Sequence, residues 1–260
     1  MKIMTKTIER DRLTPHLKLA RATPFAILPG DPGRIDRIKK FLRKPEEVAY
    51  NREFRTCIGK YRGVDVTVTS TGIGCPSAAI AVEELANIGV RTFVRIGTCG
   101  GLVSGMEAGD IVIPVAAMRG EGTTREYVPV EFPAVADLAV TNSLIAAARL
   151  AGVRLFTGVD RTHDAFYEPI GNFTKLADIG SPPLVSSEME CSAVFLTAML
   201  RGARAGAILV VNTPEPPKEV RENPESIYRL ADVKAVERGM DAAIRIALEA
   251  IRKLRGEKYE

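Results

Sequence analysis

The stretch that decides the fold is VTVTSTGIGCPSAAIAVEELANIGVRTFVRIGTCGG, which spans residues 66–101. Two apolar runs of strand length flank a longer stretch with apolar residues at helical spacing. The sequence therefore predicts a strand at Val64–Ser70, a helix at Pro76–Ile88 and a second strand at Thr92–Ile96. Glycines follow each strand, and we expect them to form turns at the same edge of a sheet.

A charged residue, Arg95, lies inside the second of these apolar strands. Only Ile96 separates it from the glycine-rich segment 97–101, and the first glycine segment is 72–74. A guanidinium is costly to bury unless an anion meets it. We therefore predict an anion site at the carboxyl ends of the two strands.

The alternation of strands and helices continues along the chain, and no Pro/Gly/Ser-rich linker interrupts it. This pattern predicts one α/β domain over residues 1–260, with a central twisted, mixed and mostly parallel sheet flanked by helices on both faces. Near the middle, a helical stretch is expected at 134–150. Further on, Glu188 and Glu190 are expected to open a helix directly after a short strand at Leu184–Ser187.

Composition excludes several classes of protein. The 260 residues are 46% hydrophobic and 26% charged, as in ordinary globular proteins, and the net charge of +4 is scattered, which disfavours nucleic-acid binding. The first residues lack the apolar core of a signal peptide and no membrane-length apolar run exists, so a cytoplasmic location is expected. Four cysteines without a CxxC pair and two histidines predict no metal. The absence of glutamine suggests a thermophilic source.

Two further glycine patterns bear on the anion site. Gly72-Ile73-Gly74 invites a dinucleotide-binding interpretation, but the third glycine and the ribose-binding acid of that motif are missing, so we disfavour it. A strand at Pro24–Leu28 runs into residues 29–34, PGDPGR, which open a helix. Backbone N–H groups and the positive end of a helix dipole would then meet beside Arg34, which favours an anion.

The motif Ser70-x-Gly72-Ile73-Gly74-x-Pro76-Ser77-x-Ala79-Ile80-x-x-x-Glu84-Leu85 resembles the signature of nucleoside phosphorylases of the purine/uridine phosphorylase type. The resemblance covers nearly the whole chain, and residues 131–137, EFPAVAD, resemble the uridine phosphorylase branch. It implies an α/β fold and a hexamer built as three dimers. Each active site would borrow residues from the dimer partner.

The resemblance also implies the roles of individual residues. Inorganic phosphate would be the co-substrate, with no other cofactor, and the implied phosphate ligands are Gly30, Arg34, Arg52, Arg95 and Thr98. Arg52 would come from the neighbouring subunit. The implied ribose contacts are His16, Glu188, Met189 and Glu190. His16 would be the neighbour's contact to the 5′-hydroxyl, and Arg95 and Glu190 would carry the catalysis.

The base pocket departs from the family pattern. Its candidate residues are Phe166, Ile170, Asn172, Asn212 and Thr213. Uridine phosphorylases place a Gln-x-Arg pair where this chain has Ile170 and Asn172, and purine phosphorylases place an acidic aspartate at the Thr213 position. We therefore predict phosphorolysis of a nucleoside, with uridine favoured. The alternatives are a purine nucleoside or methylthioadenosine phosphorylase and, less favoured, a non-catalytic nucleoside-binding protein.

Overall fold

The computed structural model describes residues 13–167, 184–214 and 232–256. Its strands are β1 (Phe25–Pro29), β2 (Arg43–Asn51), β3 (Phe54–Tyr61), β4 (Val64–Thr69), β5 (Thr92–Gly101), β6 (Ile111–Gly120), β7 (Ala134–Val135), β8 (Leu155–His163), β9 (Leu184–Glu188) and β10 (Arg204–Thr213). Its helices are α1 (Arg34–Lys39), α2 (Cys75–Asn87), α3 (Thr123–Tyr127), α4 (Leu138–Ala151), α5 (Cys191–Leu200) and α6 (Val233–Leu254).

All ten strands belong to one mixed sheet. Parallel pairing joins β4, β1, β5 and β10 at its centre, and also joins β6, β8 and β9. Antiparallel pairings attach β2 and β3 at one side, and β6 to β10 and β9 to β5 at the other. Because β5 pairs with both β10 and β9, the five strands β5, β10, β6, β8 and β9 close into a ring.

Helices cover the sheet through two separate apolar cores. One core joins α2 and α5 to the face of β5 that carries Phe93, and its largest contributor from α5 is Phe195. The other joins α1, α4 and α6 to the opposite face, and it includes Val94 of β5 and Ile244 of α6. Successive residues of β5 alternate between the two cores, as the pleat of a strand requires. The predicted mixed sheet with helices on both faces is confirmed.

The glycine-rich segment 97–101 is a continuation of β5, so the prediction of a turn there was wrong. Its backbone is paired on both sides, since Gly100 lies opposite Thr213 of β10 and Ser187 of β9. Glycine is needed in this segment because neighbouring side chains lie too close to its backbone for a Cβ atom. A Cβ atom on Gly101 would lie 2.9 Å from the sulfur of Met106.

Two further elements differ from the sequence prediction: one helix begins later than expected, and one strand was not predicted. The helix expected at 134–150 begins at Leu138, because the Asp137 side chain accepts a hydrogen bond from the Val140 N–H at 2.9 Å and caps its first turn. Ala134 and Val135 form β7 instead. The strand β2 was missed, since its sequence RKPEEVAYN is largely exposed and lacks apolar alternation.

The turns after β1 and β4 lie against each other and form the edge where the candidate site lies. The Thr71 N–H donates to the Pro29 carbonyl and the Gly72 N–H to the Gly30 carbonyl, both at 2.9 Å. Beside them, β1 runs parallel to β5, with Pro29 opposite Ile96. The carboxyl ends of β1, β4 and β5 therefore meet, as expected for a ligand site in a parallel sheet. None of the described helices is long and apolar enough to cross a membrane.

Candidate active site

The buried arginine of β5 is held by two carboxylates of the same chain. Arg95 is only 3% exposed. Its Nε and Nη2 atoms lie 3.0 and 2.8 Å from Oε2 of Glu188, and Nη2 also contacts Oε2 of Glu190. Nη1 takes no part in these ion pairs. Three of the residues predicted for the site, Arg95, Glu188 and Glu190, are thus in direct contact.

The two carboxylates are positioned by the end of β9 and the start of α5. Glu188 is the last residue of β9, and its carboxylate accepts the N–H groups of Glu190 at 2.8 Å and of Cys191 at 2.9 Å. Glu190 accepts the Gly74 N–H at 2.6 Å. The helix begins only at Cys191, so the expectation that Glu188 and Glu190 open it was wrong. Both acids serve Arg95, and Glu188 also satisfies the free N–H groups of the helix start.

The lack of a side chain at Gly97 leaves the space that the Arg95 guanidinium occupies. A Cβ atom built on Gly97 would lie 2.8 Å from Nη2 and 3.0 Å from Cζ of Arg95. The guanidinium therefore folds over the backbone of its own strand, two residues further along. Only glycine allows this approach, which links the glycine-rich segment to the site by sterics rather than by a turn.

Burial and charge shift the pKa values of this ion cluster. Burial lowers the pKa of Arg95, but the carboxylates of Glu190 and Glu188 outweigh it and raise that pKa. Burial is the largest influence on Glu188 and raises its pKa, but the Arg95 charge and the hydrogen bonds to the carboxylate together outweigh burial and lower the pKa. For Glu190, burial and the charge of Glu188 outweigh Arg95 and raise the pKa. Glu188 is therefore the firm partner of Arg95, and Glu190 is the one that more readily takes a proton.

A further acid, Asp160 of β8, lies behind Glu188 and was missed by the sequence analysis. It is fully buried, accepts a hydrogen bond from Ser186 Oγ at 2.6 Å, and lies beside Thr162, whose hydroxyl donates to Glu188 at 2.7 Å. Burial, followed by the charge of Glu188, raises the pKa of Asp160 well above its usual range. Asp160 thus holds a proton more readily than an exposed aspartate does, and it lies behind the Glu188 carboxylate.

Among the described residues, one group has a ligand arrangement that could hold a metal ion, and it includes Asp160 and Glu188. Ligand atoms of Asp160, Glu188 and Cys191 lie within 4.8 Å of one another. The Glu188 oxygens, however, already accept from Arg95, Thr162 and backbone N–H groups. A cation would have to replace these donors beside the positive charge of Arg95. The residues therefore fit a hydrogen-bonded network better than a metal.

Arg34 lies next to this cluster and has no such partner. It is half-buried at the start of α1, and its guanidinium makes no hydrogen bond or ion pair within the described parts of the chain. Burial, followed by the positive charge of Arg95, lowers the pKa of Arg34. Arg34 and Thr98 line one open cavity of about 640 Å³ between α1 and α6. A partly desolvated cation at a cavity wall is an arrangement that an anion would stabilise.

His16 and Arg52 lie together in a second group, without contact to Arg95 in the described residues. Arg52 is exposed in the β2–β3 turn, in the left-handed region at φ +54°, which is strained for a residue with a side chain. Its neighbour Asn51 donates from Nδ2 to the His16 carbonyl at 2.7 Å. The two residues that the sequence resemblance assigns to a neighbouring subunit thus share one surface.

The candidate base residues are only partly described. Phe166 is 58% exposed and packs edge-to-face against Tyr167, with ring centroids 5.1 Å apart. Asn212 and Thr213 are half-buried at the end of β10, where Thr213 lies opposite Gly100 of β5. Met189 lies between the two site carboxylates, and its carbonyl accepts from the Cys75 thiol at 3.2 Å. Ile170 and Asn172 lie outside the described residues.

Comparison with known proteins identifies the family. The model of the phosphorylase superfamily matches residues 24–252, and the chain belongs to this superfamily.

Individual relatives narrow the comparison. A uridine phosphorylase from Thermococcus kodakarensis is 44% identical over 198 residues, which are 72% of this chain and 72% of the relative. A guanosine phosphorylase from Halorubrum lacusprofundi is 44% identical over 200 residues, 76% of this chain and 82% of the relative. A crystal structure of uridine phosphorylase from Vibrio fischeri matches with a TM-score of 0.82 at 31% identity, covering 92% of this chain and 96% of that one.

The contact between Gly97 and Arg95 leads to a first prediction. Gly97→Ala should displace the Arg95 guanidinium and lower phosphate-dependent turnover about 100-fold, because small misplacements of a reacting group are that costly. Steady-state kinetics with varied phosphate measures the effect. Gly122→Ala is the control, since its added Cβ would meet nothing closer than 3.8 Å. Equal turnover in both variants would remove Gly97 from the support of the site.

Proposed function

We propose that this protein catalyses the phosphorolysis of a nucleoside, with uridine as the favoured substrate and inorganic phosphate as co-substrate. An oxygen of phosphate attacks the anomeric carbon, the glycosidic bond to the base breaks, and the base leaves with the bonding electrons. The products are the free base and ribose 1-phosphate. The transition state has oxocarbenium character, as in other glycosyl transfers.

The observation that carries this proposal is the juxtaposition of an unpaired arginine with an arginine–carboxylate cluster. Arg34 needs an anion, and Arg95 beside it strengthens that need. Glu190 provides a carboxylate that accepts hydrogen bonds, as the hydroxyls of a sugar require. Phosphate on the arginine side and ribose on the carboxylate side would bring the two reactants together, and such positioning lowers a barrier by roughly 7–11 kcal/mol.

The same cluster supports separate roles for its members. Glu188 holds Arg95 through two contacts and stays ionised. Glu190 shares Arg95 and has a raised pKa, so it can give up part of this ion pair when a dianion arrives. Arg34, Thr98 and Gly30 then complete the phosphate side from the chain's own residues, with Arg52 supplied by a partner. Phe166, Ile170, Asn172, Asn212 and Thr213 belong to the base side.

A second candidate substrate is a purine nucleoside. Two relatives with the same 44% identity are named for a pyrimidine and for a purine nucleoside, uridine and guanosine. Sequence identity to these relatives therefore does not distinguish a pyrimidine from a purine nucleoside as the substrate. The choice lies in the base side, where Asn212 and Thr213 replace the groups of both branches. We favour uridine because most of the relatives carry that name.

The direct test is base release from a panel of uridine, guanosine, inosine and adenosine, each with and without phosphate. We expect release only with phosphate, ribose 1-phosphate as the second product, and the highest kcat/KM for uridine. Base release that does not need phosphate would replace phosphorolysis by hydrolysis. Binding of nucleosides by calorimetry without any turnover would instead favour a binding protein.

The proposal includes a cytoplasmic homohexamer, built as a trimer of dimers with shared active sites. It is supported by the exposed Arg52, which is strained and has no partner among the described residues, and by its closeness to His16. A strained residue on a surface is retained most easily where it has a role. In the dimer, Arg52 and His16 would reach the site of the neighbouring chain.

Subunit mixing tests this sharing. Arg52→Ala and Arg95→Ala should each be inactive alone, yet a co-expressed mixture should regain about a quarter of wild-type activity, because half of the random dimers are mixed and each has one intact site. The measurement is turnover of the purified mixture against each variant alone. Activity no higher than that of the single variants would place Arg52 and Arg95 in one subunit's own site or remove Arg52 from it.

A further inference from the structure

Glu84 lies near the end of the glycine-rich signature, and none of the roles assigned above involves it. It lies on α2 and is only 5% exposed. Its carboxylate accepts the N–H of His16 at 3.1 Å, the N–H of Leu17 at 2.8 Å, and a hydrogen bond from Nδ1 of His16 at 2.6 Å. A buried carboxylate is tolerated only with such donors. The hydrogen bonds therefore fix the Glu84 side chain and the segment around His16 relative to each other.

This arrangement fixes the His16 ring. A carboxylate only accepts hydrogen bonds, so the hydrogen must lie on Nδ1. The other ring nitrogen, Nε2, makes no hydrogen bond within the described part of the chain, and 41% of the side chain is exposed. The Asn51 amide holds the His16 carbonyl, so the backbone cannot turn the ring away. In the neutral ring, Nε2 is therefore a hydrogen-bond acceptor of set direction.

We propose that Glu84 is a positioning residue that fixes the tautomer and orientation of His16, so that Nε2 accepts a hydrogen bond from the 5′-hydroxyl of the nucleoside in the partner's site. This inference rests on the proposed function and deepens it. It assigns to Glu84 a part in choosing the sugar, since a nucleoside without a 5′-hydroxyl gains nothing from the oriented ring. The logic is that of an acid that orients a catalytic histidine.

A purely structural role for Glu84 makes a different prediction. If the carboxylate only anchors residues 14–19, its loss would weaken the fold or the dimer and affect all substrates alike. If it acts through His16 Nε2, its loss affects only substrates with a 5′-hydroxyl. The two roles are separated by the substrate and not by the size of the loss.

The test compares Glu84→Gln with Glu83→Gln, using uridine and 5′-deoxyuridine. Glu83 is the neighbouring acid on α2 and pairs with Arg201, so its variant controls for the same change on the same helix. We expect Glu84→Gln to lower kcat/KM for uridine about tenfold and to leave 5′-deoxyuridine unchanged, as for one lost hydrogen bond. Glu83→Gln should leave both unchanged. An equal loss with both substrates in Glu84→Gln, or no loss with either, would overturn the proposal.

A second measurement does not depend on turnover. The chain has two histidines, so ¹⁵N spectra of the histidine-labelled protein contain two rings, which His16→Asn assigns. We expect the neutral His16 ring to carry its hydrogen on Nδ1 in the wild type. A hydrogen on Nε2 would overturn the proposal. If no nucleoside is turned over at all, the proposed function fails, while the spectrum still reports whether Glu84 fixes the ring.

Discussion

The ion cluster of Arg95 with Glu188 and Glu190 is the constraint on which the rest of the site depends. A guanidinium that is 3% exposed must have anions, and the fold brings two carboxylates from a segment more than 90 residues away to supply them. Removal of one partner from such a buried pair typically costs 3–5 kcal/mol, so the cluster holds β5, the end of β9 and the start of α5 together. The glycine at position 97 is there because the arginine needs its space.

The cluster also explains how the arginine proposed for phosphate and the acid proposed for ribose can occupy neighbouring positions. The pKa of Glu188 is lowered and that of Asp160 behind it is raised, so Glu188 would hold the charge of Arg95 in place if Glu190 turned to another ligand. Arg34, whose guanidinium makes no ion pair with the described residues, lies next to Arg95. The charge distribution is therefore uneven, with the two arginines on the side proposed for phosphate and the carboxylates on the side proposed for the sugar.

The sequence predicted the chemical character of the site better than its local backbone geometry. An arginine in an apolar strand predicted an anion near Arg95, and the helix and strands around it were placed to within a few residues. The partners, Glu188 and Glu190, make their contacts across the ring of strands, and no periodicity reports such a contact. The glycines of 97–101 predicted a turn because glycine is common in turns, whereas here they allow close packing beside β9 and β10.

Other features were out of reach for related reasons. Asp160 stands within a half-buried strand and has no motif around it, so only the folded ring shows that it supports Glu188. Glu84 was visible as part of a signature, but its contact with His16 joins residues 68 positions apart. The base pocket was predicted to differ from its relatives at Ile170 and Asn172, which lie outside the described residues.

Arg95 is the cation proposed to meet phosphate, so the most direct measurement is turnover of uridine by Arg95→Ala at varied phosphate. The control is Arg154→Ala, which removes an exposed arginine paired with Glu107. We expect Arg95→Ala to lose phosphate-dependent turnover and Arg154→Ala to keep it. Near-normal turnover in Arg95→Ala would show that the use of phosphate does not depend on this arginine.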